Sequence, residues 1–174
     1  MVRPAIRNTG QKAESLFLEL VGTARPSDAP RRGDAIVEVD GHDHYVELKE
    51  CHASPGKGGT INQVRAIKYI TCVIWAPKYA KWFVLSPDQL VSLASTKNRG
   101  QHTEIPFESM TIRLANLGDQ FHETADDREL EDVVTRAIQR GEAASAAMKE
   151  LMPQLLDEID QLKRKYLQLA ANAH

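Results

Sequence analysis

The chain has 174 residues, 42% of them hydrophobic, and 22 Lys and Arg against 24 Asp and Glu give it a net charge of −2. That length supports one domain with a real core and room for an appendage, and the near-neutral balance argues against nonspecific coating of nucleic acid. No apolar run is long enough to span a bilayer, Arg3, Arg7 and Lys12 interrupt any signal-peptide core, and Cys51 and Cys72 lack C-x-x-C spacing, so a cytoplasmic protein with free thiols is expected.

Ala13, Leu16, Phe17, Leu20 and Val21 recur at helical spacing and predict a helix over Gln11 to Val21, capped by Thr9. Gly22 to Arg32 reads as a loop, punctuated by Pro26 and Pro30. Gly33 to Val39 and His44 to Lys49 read as two strands of a hairpin joined by the turn-prone Asp40-Gly41-His42-Asp43. Ala53 to Thr60 is a Gly-rich loop without the spacing of a phosphate-binding P-loop.

Ile61, Val64 and Ile67 predict a second helix reaching Tyr69, with Thr60-Ile-Asn-Gln63 as its capping box. Thr71 to Trp75 and Trp82 to Leu85 have strand character. Ser86-Pro-Asp-Gln89 is another capping box, opening a helix to about Ser95 with Pro87 in its first position. Lys97 to His102 is a polar, basic loop, and Phe107, Met110, Leu114 and Leu117 predict a short helix after Pro106.

From Asp127 the pattern is helical. Leu130, Val133, Val134, Ala137 and Ile138 make one face, and Gly141 punctuates it. Met148, Leu151, Leu155, Ile159, Leu162, Tyr166 and Leu169 then recur with heptad-like spacing around Pro153. Such a stripe serves either a dimerisation seam or packing onto its own domain. The expected fold class is α/β, a small mixed β-sheet flanked by helices over residues 1–125, followed by a helical C-terminal segment over 126–174.

Glu47 and Lys49 lie two residues apart on one strand and so point the same way, while Asp34 at the start of the neighbouring strand can reach the same spot. Two carboxylates and an ammonium beside a sheet are costly to bury without a metal or an anionic ligand. The cluster suits Mg²⁺-assisted phosphodiester cleavage, with Mn²⁺ able to replace Mg²⁺. Asp34, Glu47 and the backbone carbonyl of Leu48 would hold the metal, and Lys49 would sit beside the attacking water or a phosphate oxygen. The competing reading is a surface hairpin on which Glu38, Glu47, Lys49 and Glu50 form cross-strand ion pairs.

Asp34, twelve intervening residues and then Glu47-Leu48-Lys49 resemble the motif of the PD-(D/E)XK nuclease superfamily, and specifically of its type II restriction endonucleases, with Gly33 where the motif has proline. The resemblance covers residues 9 to 90 by order of elements. It implies a restriction-endonuclease-like core with the motif on a strand hairpin. Gly10-Gln-Lys-Ala-Glu14 is similar to the superfamily's N-terminal helix, on which Glu14 would assist the metal or orient the water. Glu14 otherwise reads as a carboxylate favoured near a helix N-terminus, and Glu19 is its alternative if the register differs. Gln63 is similar to a polar residue on the helix after the motif strand and would touch the scissile phosphate or its water.

Lys57, Arg65 and Lys68 flank the proposed metal and are candidate phosphate contacts, or else a solvated basic face, while Arg31 and Arg32, just before Asp34, are candidates for contacting the DNA backbone near the cleavage point. Arg99, Gln101 and His102 are candidates for base reading, since Arg pairs with guanine and Gln with adenine. His42, His44, Cys51 and His52 lack the spacing of a zinc site. The function implied is sequence-specific, Mg²⁺-dependent cleavage of double-stranded DNA by a homodimer, with a DNA methyltransferase protecting the same site as its partner. The alternatives are a structure-specific nuclease of the same superfamily, such as a Holliday-junction resolvase or repair endonuclease, and a noncatalytic DNA-binding module that keeps the fold.

Overall fold

A computed structural model of the chain describes residues 10–55, 58–97 and 106–172. Asp40 and Gly41 take φ of 52° and 76°, the pair of positive values that a two-residue type I′ turn requires. Strand β2 (Ala35–Val39) therefore turns directly into β3 (His42–Glu50), with Val39 opposite His42 and Ala35 opposite Val46. The turn is tighter than the four residues expected from sequence.

Helix α1 (Gly10–Leu20) and the short edge strand β1 (Ala24–Pro26) precede this hairpin. After it come β4 (Thr60–Val64), a 3₁₀ turn (Ala66–Lys68), β5 (Thr71–Ala76) and β6 (Lys81–Leu85). Helix α2 (Pro87–Ser95), β7 (Met110–Arg113), β8 (Glu123–Ala125) and α3 (Leu130–Asn172) follow. The main sheet has six strands in the order β1-β2-β3-β5-β6-β8, and β4 with β7 forms a separate two-stranded sheet. Only the β3–β5 pair is parallel within the six-stranded sheet, so the sheet is mixed, as expected.

The sheet separates two apolar cores. On one face Val46, Leu48 and Val73 pack with Phe17 of α1, with Val21 just after it, and with Leu130, Val133, Val134, Ala137 and Ile138 of α3. On the other, Cys72, Ile74 and Ala76 pack with Ile61 and Val64 of β4, Met110 and Ile112 of β7, and Leu90, Leu93 and Ala94 of α2. The Ser86 backbone N–H donates to Gln89 Oε1 at 3.0 Å, so α2 opens on the capping box read from sequence.

Three expectations are corrected. The helix over Ile61 to Tyr69 is instead β4 and the 3₁₀ turn. A register shift between Ile61 and Val64, with Gln63 at φ 58°, leaves two consecutive exposed residues between buried ones, and that bulge reproduces a helical spacing of three. The Gln63 capping box therefore does not exist. The short helix after Pro106 is instead β7, in which Met110 and Ile112 face inward and Arg113 outward, followed by a 3₁₀ turn over Leu114–Asn116. Gly141 does not interrupt α3, which continues through it; a Cβ there would lie 2.6 Å from ring carbons of Pro87, so the glycine permits close packing rather than ending a helix.

By compactness the chain divides into Met1–Gly141 and Glu142–His174. The second unit is helical and carries exposed Met148, Leu151, Met152, Leu155, Leu156, Ile159, Leu162 and Tyr166. Among the described residues, no helix is long and apolar enough to cross a membrane.

Candidate active site

Along β3 the side chains alternate, so Val46 and Leu48 enter the first core while Glu47 and Lys49 face the other side of the sheet, beside Cys72 and Ile74 of the parallel strand β5. Glu47 is only 5% exposed. Lys49 Nζ lies 2.7 Å from its Oε1, and Lys68 Nζ, from the 3₁₀ turn leading into β5, lies 3.6 Å from its Oε2. One buried carboxylate thus holds two ammonium groups, each of them only partly exposed.

Asp34 precedes β2 and is tied to β3 twice. Its backbone N–H donates to the Val46 carbonyl at 2.8 Å, and its Oδ2 accepts the Leu48 N–H, also at 2.8 Å. The second bond fixes the carboxylate beside the peptide that links Glu47 to Leu48. Gly33 packs closely before Asp34: a Cβ at that position would lie 2.8 Å from the Val46 carbonyl oxygen. Cys72 registers the whole group: burial pushes its thiol well above the ordinary range, Glu47 and Asp34 push the same way, and Lys49 and Lys68 oppose them. Four charges of both signs therefore surround one buried, protonated thiol.

The cluster read from sequence as Asp34, Glu47 and Lys49 is therefore assembled by the hairpin. Lys68, read as a phosphate contact, joins it directly. Sequence reasoning missed that role because the link depends on the β4–β5 connection, which it took for a helix. Gln63 is exposed on β4, not on a helix. Glu14 lies on α1, half-buried, and among the described residues no three His, Cys, Asp or Glu side chains group closely enough to hold a metal, so Glu14 does not complete a three-carboxylate set with Asp34 and Glu47.

Arg31 and Arg65 are exposed, and the Arg32 guanidinium stacks over the Tyr45 ring, 4.4 Å from its centroid. Lys57, Arg99, Gln101 and His102 lie outside the described residues, as does the Thr9 cap. Of the histidines near the motif, His52 pairs with Glu50, Nε2 to Oε1, at 3.1 Å.

No protein-family model matches the chain, and no curated protein matches it by sequence. Among solved structures it is similar to a bacterial homing endonuclease, I-Ssp6803I, at 12% identity and a TM-score of 0.50, over 80% of this chain and 97% of that one. At that identity the likeness establishes the fold alone: an α/β core with a mixed sheet, helices on its faces and a long C-terminal helix.

Proposed function

We propose that this chain is a Mg²⁺-dependent endodeoxyribonuclease that cuts double-stranded DNA at a specific sequence, in the manner of a type II restriction endonuclease. The observation that carries the reading is buried Glu47 held between Lys49 and Lys68, with Asp34 fixed beside it by the Leu48 N–H. A surface hairpin laced by ion pairs would leave these groups in water, whereas Glu47 is nearly inaccessible.

The donor set fits the ion. Asp34 and Glu47 offer hard oxygens, and the protonated Cys72 thiol offers no competing thiolate. Mg²⁺ is often held by only one or two carboxylates, with water and phosphate oxygens filling the rest, so two protein carboxylates suffice. When bound, the ion supplies an activated water and neutralises the leaving oxygen. The protein's own part is positional and electrostatic. The Leu48 N–H holds Asp34 in one orientation, Lys49 places its ammonium where negative charge develops on the phosphate, and Lys68 adds a second cation on the other side of Glu47.

One such site cuts one strand, so a two-fold homodimer would cut both, and the exposed apolar stripe of the C-terminal helix offers its seam. A cutter of this kind needs a DNA methyltransferase acting on the same site. The likeness to a homing endonuclease supports a second reading, a homing rather than a restriction endonuclease.

Incubating purified protein with Mg²⁺ and plasmid or phage DNA, then sequencing the ends, separates the readings. Many discrete fragments favour restriction, a single rare cut favours homing, and cutting of branched DNA alone favours resolution. If Asp34→Ala and Lys49→Ala proteins cleave as well as wild type, the assigned site is wrong.

A further inference from the structure

We infer that the two-stranded ribbon of β4 and β7 is the element that reads base edges, lying in the major groove of the duplex next to the cut. The inference rests on the nuclease reading and adds the part of the molecule that selects the site. The ribbon's inner side is apolar: Ile61, Val64, Met110 and Ile112 are buried in the core beneath it. Its outer side carries Thr60, Asn62, Gln63 and Arg113 exposed and Thr111 half-buried, and neither strand contains a carboxylate. A face made only of amides, hydroxyls and a guanidinium is unusual on a chain with a net charge of −2.

These are the groups that discriminate base pairs in the major groove, Asn and Gln toward adenine and Arg toward guanine, and that groove admits a two-stranded ribbon. Thr111 Oγ1 donates to Asn62 Oδ1 at 3.1 Å across the ribbon, which holds the amide in place. The bulge at Gln63, with φ 58°, puts two neighbouring side chains on the outer side where regular alternation would supply one. Beside β7 a cleft of about 290 Å³ is lined by Lys97, Thr111, Arg113 and Asn116 with Leu93 and Leu117, adding a second cation for the flanking backbone.

Position links the ribbon to the chemistry. It packs on the face of the main sheet that carries Glu47 and Lys49. Gln63 precedes Lys68 by five residues, a chain reach of at most ~18 Å. At ~3.4 Å per base step, that is about five base pairs from the phosphate beside Glu47.

The test binds a randomised duplex pool to wild type, Asn62→Ala, Arg113→Ala, Arg113→Lys and Lys68→Gln proteins with Ca²⁺ in place of Mg²⁺, and sequences what is retained. Asn62→Ala and Arg113→Ala should each lose preference at one or two positions by roughly 5- to 150-fold, within about nine base pairs of the cut mapped with Mg²⁺, since Arg113 pairs with Thr60, eight residues from Lys68. Arg113→Lys keeps the charge but loses the planar fork, so it should lose the same preference while holding affinity for other sequences within about threefold. Lys68→Gln should weaken all sequences alike. Preferences unchanged in the ribbon variants, an equal loss on every sequence, or relaxed positions far from the cut would overturn the inference. Wild-type protein that binds DNA without preference overturns it too, but leaves the cleavage test of Asp34 and Lys49 standing. Protein that neither binds nor cuts removes the nuclease reading and the ribbon's role together.

Discussion

Lys68 Nζ sits 3.6 Å from Glu47 Oε2, on the opposite carboxylate oxygen from Lys49. With Asp34 the four groups carry no net charge, so the cluster balances itself, and an arriving cation has to share Glu47 with Lys68. Lys68→Gln removes that competitor. Mn²⁺ binding, followed by electron paramagnetic resonance, should tighten by about three- to tenfold, since a unit charge a few ångströms away at an effective dielectric constant near 20 is worth several kcal/mol before solvent screening. Single-turnover cleavage should nevertheless fall about tenfold or more, because the phosphate loses a cation. If neither quantity moves, Lys68 is a counter-ion and nothing else.

Asp34 has a structural duty and a chemical one, and two substitutions separate them. Asp34→Ala deletes the acceptor of the Leu48 N–H and should destabilise the fold by about 1–3 kcal/mol in urea unfolding. Asp34→Asn keeps an acceptor oxygen and should cost less than ~1 kcal/mol. Both should lose cleavage by about 100-fold or more, because both lose the negative charge. Full activity in the Asn protein would confine Asp34 to holding the hairpin.

Gly141 makes a signed prediction. Replacing an interior helical glycine by alanine ordinarily stabilises by ~1 kcal/mol. Here the added Cβ would meet Cδ and Cγ of Pro87 at 2.6 Å, and a proline ring at a helix start cannot swing away. Gly141→Ala should therefore destabilise by about 1–3 kcal/mol, read from the shift in denaturation midpoint.

Much of this arrangement is legible in the chain itself. Alternation on both sides of Asp40-Gly41 specifies the hairpin and with it the Asp34–Glu47–Lys49 cluster, because a period of two leaves those side chains no other face. Ser86 to Gln89 marks α2 for similarly local reasons. What stayed hidden is non-local. The bulge at Gln63 turned a strand's alternation into a helix's spacing, and that misreading concealed both the ribbon and the route by which Lys68 reaches Glu47. Gly141 looks like a stop signal until Pro87, far away in sequence, is seen to need the space.

Asp88, in the first turn of α2, couples this region to pH. Its burial alone would raise the carboxyl pKa, but the Ser86 hydroxyl and the Arg140 guanidinium, 2.8 Å away, outweigh burial and hold it below the ordinary carboxylate value. A carboxylate whose pKa is lower when folded adds stability above its unfolded pKa, near ~3.9, and loses it as pH falls through the lower folded value. Arg140 is half-exposed, so screening limits the pair to about 0.5–1 kcal/mol. Arg140→Ala should lower the thermal midpoint at pH 7, and the gap from wild type should close as pH falls through the lowered Asp88 value.

The C-terminal unit supplies the last prediction. Met148, Met152, Leu155, Ile159, Leu162 and Tyr166 follow alternating four- and three-residue steps, and all are between 44% and 72% exposed. That spacing fits the a/d seam of a two-stranded coiled coil, the seam proposed for the homodimer. In a parallel, in-register pair, Glu158 of one copy falls opposite Lys163 of the other, whereas full antiparallel overlap sets Glu158 against itself and Lys149 against Lys163. Light scattering should give about twice the 19.4 kDa chain mass. A Leu155→Lys, Leu162→Lys double variant should fall to the single-chain mass with its Met1–Gly141 unit intact by circular dichroism and melting. On supercoiled plasmid, wild type should release linear DNA directly and the variant should accumulate nicked circles, because each monomer cuts one strand. A variant that remains dimeric would move the subunit interface out of this helix.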